Sequence, residues 1–186
     1  MTTKEKLLAL LEDSKGTFFS GEEIARTLQV SRAAVWKAVN ALREDGYTID
    51  AATNKGYRLS PDSDILSPQG IRRFLKPEYR DLDLTVLPTA PSTNALVREK
   101  ANQGRPEGCI IIACEQTDGR GRYGRQFFSP VDSGVYLSLL LRPTAYSPQQ
   151  ATCLTAAAAA AMCQAIEAVT GQQPGIKWVN DIFLRG

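Results

Sequence analysis

The sequence predicts an α+β fold, and three observations carry that prediction. Apolar residues recur at helical spacing near the start, at Leu7, Leu8, Leu10 and Leu11 and again at Val35, Val39 and Leu42. Short apolar runs bounded by turn residues follow, such as Gly56–Leu59 and Cys109–Cys114. With 186 residues, 43% hydrophobic and 23% charged at a net charge of +2, the composition is that of a folded chain and excludes a disordered or collagen-like one.

The elements of residues 1–60 can be justified in turn. Ser20 and Glu23 form a predicted capping box that opens a short helix with Ile24, Ala25 and Leu28 facing inward. Gln29-Val30 makes a tight turn, and Ser31 caps a third helix running to about Asp45, stopped by Gly46. Tyr47–Ile49 and Gly56–Leu59 read as strands around an Asn54-Lys55-Gly56 turn. Two short helices joined by a tight turn and followed by a hairpin make a winged helix-turn-helix. Ser31, Arg32, Lys37, Asn40 and Arg43 on the third helix, with Lys55 at the wing tip, suit phosphates and base edges. The plain alternative is a protein-docking module with solvated charges. Nine basic and eight acidic side chains in this segment predict modest non-specific DNA affinity.

Residues 61–66 read as a linker, and 67–186 as a second domain. Ser67-Pro68 is an N-cap and N1 pair for a helix through Phe74. Strands are expected at Leu82–Leu87, Cys109–Cys114 and Val135–Arg142, and near Gly175–Trp178 and Ile182–Leu184. Helices are expected at Asn94–Asn102 and Pro148–Thr170, with a polar loop over Glu115–Pro130. Thr152, Thr155, Gln164 and Glu167 argue against a membrane span in the alanine-rich helix. No signal-peptide pattern opens the chain, and the expected compartment is the cytoplasm.

Residue types narrow the chemistry. The chain contains no histidine, which excludes a Ser-His-Asp triad and an HExxH zinc site. Its four cysteines form no CxxC pair, so no metal ligands are assigned. Gly119-Arg-Gly-Arg-Tyr-Gly-Arg125 fits GxGxxG, but a strand rather than a helix is expected after it, so a dinucleotide fold is rejected. Arg120, Arg122 and Arg125 are instead spaced to converge on one phosphate or carboxylate. Ser92, Thr93 and Asn94 open a helix after a strand and suit either a cleft or simple capping. Lys177, Asn180 and Asp181 suit Mg²⁺, a ribose or a turn.

Taken together, these stretches resemble the bifunctional biotin protein ligase and biotin operon repressor family. The matching segments are Ser20–Ala25, Ser31–Lys37, Lys55–Leu59, Ser92–Asn94, Glu115–Arg125, Phe128–Pro130, Val135–Leu139 and Lys177–Asp181. The resemblance implies a winged helix-turn-helix followed by the first part of a class II synthetase-like biotin ligase α/β domain. It implies formation of biotinoyl-5′-AMP from biotin and ATP with Mg²⁺, and transfer of biotin to the biotin carboxyl-carrier protein of acetyl-CoA carboxylase. It also implies binding of biotin operator DNA as an adenylate-bound homodimer. By the same resemblance Ser92, Thr93, Asn94, Gln116, Arg120, Gly121 and Arg122 contact biotin. Arg122, Arg125, Phe127, Lys177, Asn180 and Asp181 serve the nucleotide, and Arg120, Arg122 and Lys177 are catalytic. Aligning one anion for attack on another needs cations, not histidine.

The sequence departs from the family at four places. Phe127 stands where a tryptophan is frequent, Val179 where proline is commoner, and Tyr123 where many members have arginine. The family's catalytic lysine is expected in a strand soon after the Asn-Asp pair, and this sequence stops at Gly186. The expectation is therefore a poor or inactive ligase as these residues stand, with an unpaired strand edge near Ile182–Leu184. Two alternatives remain open: a ligand-sensing winged-helix regulator without catalysis, and a lipoate-ligase-like acyl transferase.

Overall fold

A computed structural model describes residues 1–184 apart from 132, 145, 146, 148, 149 and 151; the side chains of 122 and 152 are also outside the description. The chain divides into two compact units, Met1–Leu140 and Leu141–Gly186.

The first unit begins with helices α1 (Thr3–Asp13), α2 (Gly21–Leu28) and α3 (Arg32–Glu44), then an antiparallel hairpin of β1 (Ile49–Ala52) and β2 (Gly56–Leu59). Leu7, Leu11, Ile24, Val35, Val39, Leu42 and Leu59 are fully buried between them. The capping reading holds only in part. Ser20 accepts the Glu23 N–H, but the reciprocal capping box forms at α1 instead, between Thr2 and Glu5. β1 starts two residues later than the sequence suggests. The Gly46 N–H bonds Arg43 O and the Tyr47 N–H bonds Leu42 O, a Schellman stop that uses Tyr47 to end α3. Gly56, at φ +93°, passes so close to Phe19 O that a Cβ there would sit at 2.0 Å.

Helix α4 (Pro68–Arg72) packs back on α1. At this contact Glu12 is buried, with the Ser67 hydroxyl donating to its carboxylate at 3.4 Å and Arg73 Nη1 at 3.8 Å. Ser67 also caps α4 by accepting the Gly70 N–H at 2.9 Å. Burial pushes the nearby Tyr47 phenol up, partly offset by a hydrogen bond with Ser67.

A three-stranded sheet follows in the order β3 (Leu84–Ala90), β4 (Ile110–Gln116), β5 (Tyr136–Leu139), with β3 parallel to β4 and β5 antiparallel to it. β3 runs further than Leu87 because Thr89 and Ala90 pair with Glu115 and Gln116. Pro88 is tolerated because β3 is an edge strand. Helix α5 (Thr93–Asn102) covers one face through Val97, Cys109, Ile111 and Leu140.

The second unit holds α6 (Thr152–Thr170) packed on an antiparallel hairpin of β6 (Gly175–Lys177) and β7 (Asp181–Phe183). The expected start of α6 at Pro148 lies outside the described residues. By length and composition alone Cys153–Thr170, at mean hydropathy 1.4, is long and apolar enough to cross a membrane, despite the polar residues that argue against a span, and only 6% of the stretch is buried.

The dual role of Ser67 yields a stability prediction. Ser67→Ala removes an N-cap and a partner of a buried carboxylate, a loss of about 1–2 kcal/mol. Hydrogen exchange at the Gly70 amide should accelerate by about fivefold or more. Unchanged protection would show that the cap contributes nothing.

Candidate functional site

The site lies where β3, β4 and β5 present their ends to the start of α5. Because β3 and β4 are parallel, Ala90 and Gln116 finish side by side, and the chain leaves β3 directly into the cap of α5. Ser92 is the N-cap and accepts the Ala95 N–H at 3.4 Å. The next amide, Thr93 N–H, donates to Gln116 Oε1 at 2.8 Å, and the Thr93 hydroxyl donates to the same oxygen at 3.2 Å. Gln116 Nε2 donates to Ser129 Oγ at 3.1 Å, and the Ser129 hydroxyl donates to Phe127 O. From β5, the Ser138 hydroxyl donates to Thr93 Oγ1 or Asn94 Oδ1, each at 2.8 Å; its single proton serves one at a time.

These groups line a cavity of about 380 Å³. Its lining includes the polar residues Ser92, Thr93, Asn94, Gln116 and Ser138 and the apolar Phe127, Val135 and Leu137, all three of these about half exposed. Arg120 stands at its rim. The Arg120 guanidinium donates to Asp118 Oδ2 through Nε at 3.2 Å and Nη2 at 2.8 Å, which pushes its pKa up. Both side chains are largely exposed, so the pair is a weak one.

The arginine-glycine loop closes on itself. Phe127 N–H bonds Gly119 O at 2.8 Å and Gly121 N–H bonds Arg125 O at 2.7 Å, with Arg120 bridged to Gln126 between them. A short 3-10 turn, Arg122–Gly124, forms the tip, where Tyr123 (φ +57°) is 96% exposed. Arg120 pairs with Asp118 and Arg125 is exposed, while the Arg122 side chain lies outside the described residues. Gly119 is tightly seated; a Cβ there would meet Phe127 O at 2.5 Å and Ser129 Oγ at 2.9 Å.

In the second unit Lys177 and Asp181 face each other across the β6–β7 hairpin, with Asn180 in its turn, all exposed. Among the described residues no group of three or more Cys, Asp or Glu could hold a metal ion.

On the winged helix, Ser31 caps α3, with its hydroxyl accepting the Ala34 N–H at 3.2 Å. Arg32, Lys37 and Lys55 are exposed and Asn40 is half-buried. Arg43 departs from its expected place. Its guanidinium donates to Ile49 O at 2.7 and 3.1 Å, pinning the wing to the end of α3. Sequence reasoning missed Ser138, Ser129 and Trp36. Ser138 interrupts the apolar run of β5, a signal that a polar partner faces it. Trp36 falls off the 35, 39, 42 core spacing, which marks it as outward-facing.

Comparison with known proteins agrees with the two-part reading. Residues 3–58 match the HTH domain family, and residues 86–186 match the biotin/lipoate A/B protein ligase family. The chain is 41% identical over 185 residues to the bifunctional ligase/repressor BirA of Bacillus spizizenii, covering 100% of this chain and 57% of that protein. It is 33% identical over 184 residues to the protein of the same description from Escherichia coli, covering 99% and 55%. A biotin protein ligase from Leishmania major in complex with biotin is similar at 23% identity and a TM-score of 0.47, over 55% of this chain and 46% of that one. The chain thus spans a little over half the length of the curated relatives it matches. It belongs to the biotin/lipoate A/B protein ligase family and carries an N-terminal HTH domain.

Proposed function

We propose that this chain serves a biotin protein ligase that is also a biotin-responsive transcriptional repressor. In the ligase reaction a biotin carboxylate oxygen attacks the α-phosphorus of ATP and pyrophosphate leaves. The biotinoyl-5′-AMP then passes its acyl group to a lysine amine of the biotin carboxyl-carrier protein of acetyl-CoA carboxylase, and AMP leaves. The observation that carries this reading is a lining that brings the bonded polar cluster of Thr93, Asn94, Gln116 and Ser138 together with apolar Phe127, Val135 and Leu137. A cyclic urea offers two N–H donors and one carbonyl acceptor, and the hydroxyls and carboxamides of Thr93, Asn94, Gln116 and Ser138 can answer both. Phe127, Val135 and Leu137 suit hydrocarbon, and Arg120 suits a carboxylate or acyl phosphate. A dithiolane such as lipoate offers no N–H or carbonyl group to exchange for the bonds among those residues, which favours biotin.

Gly121, with Arg120 and Arg122, is proposed to close over biotin and its adenylate. Arg125, Phe127, Lys177, Asn180 and Asp181 are proposed to serve the nucleotide, and Arg120, Arg122 and Lys177 to balance charge as the anions meet. Asn180 and Asp181 would offer oxygens to a Mg²⁺ that arrives on the triphosphate, and the ion would supply neutralisation of phosphate charge. Ser31, Arg32, Lys37, Asn40 and Lys55 are proposed to meet operator DNA from a homodimer formed with the adenylate. The proposed compartment is the cytoplasm, with no membrane role.

Calorimetry with biotin and lipoate tests the cavity. Biotin should bind and lipoate should not, and Gln116→Ala or Gly119→Ala should weaken biotin by about tenfold or more. Lipoate binding without biotin binding would refute the assignment. Asp118→Asn frees Arg120 but breaks only an exposed, solvent-screened pair, so biotinoyl-AMP analogues should gain at most about fivefold. A gain of a hundredfold would show that the pair is a strong lock. For DNA, Lys37→Ala should weaken binding evenly across sequences and lower the salt slope by about one, whereas Arg32→Ala should relax sequence preference. Equal effects on specific and random duplexes would remove Arg32 from base readout.

A further inference from the structure

The outward row of α3 is Arg32, Trp36 and Asn40, spaced one turn apart. Trp36 is 59% exposed, although the next residues on the inward side, Val35, Ala38 and Val39, are buried. Two hollows meet at its indole. One, of about 740 Å³, runs between Arg32, Tyr57 and Asn54 of the wing. The other, of about 650 Å³, runs between Lys37, Asn40 and the chain start at Thr2–Lys4. The indole is thus a large apolar surface on a face that also carries Arg32, Lys37, Asn40 and Asn54, with Glu22 lining the first hollow and Glu44 the second.

We propose that Trp36 is a specificity-determining residue that packs its ring on a thymine methyl group in the major groove. The inference rests on the DNA-binding reading of the winged helix given above. Its physical ground is the chemistry of base edges. Arginine pairs best with guanine and asparagine with adenine, but neither recognises thymine, whose distinguishing mark in the groove is an apolar C5-methyl. The row supplies all three complements in order. Arg32 and Lys37 flank the ring with positive charge, which matches a phosphate-lined groove rather than an apolar protein partner.

The test removes the methyl and the ring separately. Duplexes are selected from a random-sequence library with the 186-residue chain, and each thymine of the best duplex is replaced in turn by uracil. At one position the replacement should weaken the unaltered chain by about fourfold, the value of one buried methyl. Trp36→Ala should bind the thymine duplex at least that much more weakly and should not respond to the uracil at that position. In a Trp178→Phe background Trp36 is the only tryptophan, and its fluorescence should change on adding duplex. Trp36→Ala binding as the unaltered chain does, or keeping the full response to uracil, would overturn the proposal, as would an unchanged Trp36 emission. If the unaltered chain enriches no duplex, the DNA-binding reading falls as well. Neutrality of Trp36→Ala alone refutes only the thymine contact.

Discussion

The arrangement of the cavity at the start of α5 depends on one side chain, the carboxamide of Gln116. Its oxygen takes the first free amide of α5 and the Thr93 hydroxyl, and its nitrogen holds Ser129 on the far side of the arginine-glycine loop. A helix start, a strand end and a loop end are thereby joined through one polar group. Helix N-termini leave amides without partners, and here a residue from a neighbouring strand supplies the acceptor. The parallel pairing of β3 and β4 makes this reach short, since both strands end at the same level.

That network also explains why the cavity keeps its polar character. Thr93 and Ser138 are almost fully buried, and each is satisfied by a neighbour in the same cluster. A group with its own donors and acceptors can exchange like for like with these bonds, whereas an apolar group leaves them as they stand. The arginine at the rim contributes differently, because its exposed pair with Asp118 is easily given up to a stronger anion.

Much of the fold was legible from short-range chemistry. Ser31, Ser67 and Ser92 cap the helices their positions suggest, and Gln29 and Gly46 stop α2 and α3 through the expected turns. What the sequence did not reveal depends on contacts between distant residues. The Arg43 bond to Ile49 O and the Ser138 bonds to Thr93 and Asn94 join elements whose approach no local pattern encodes. In the arginine loop the charges alone did not show that Asp118, two residues from Arg120, pairs with that guanidinium, or that backbone pairing of Gly119 with Phe127 sets the loop's shape.

The buried carboxylate of Glu12 gives α1 a double allegiance. One side of this helix builds the core of the winged helix through Leu7, Leu8 and Leu11, while Glu12 meets Ser67 and Arg73 at the start of α4. Severing the chain at the polar stretch 61–66 would not release two self-sufficient pieces. It would leave the first with a carboxylate whose hydroxyl and cation partners had gone, and the second with a helix start that had lost the wall it packs against. The same buried leucines and valines join α1 to α3, so the contact at Glu12 and the core of the three-helix segment share one helix.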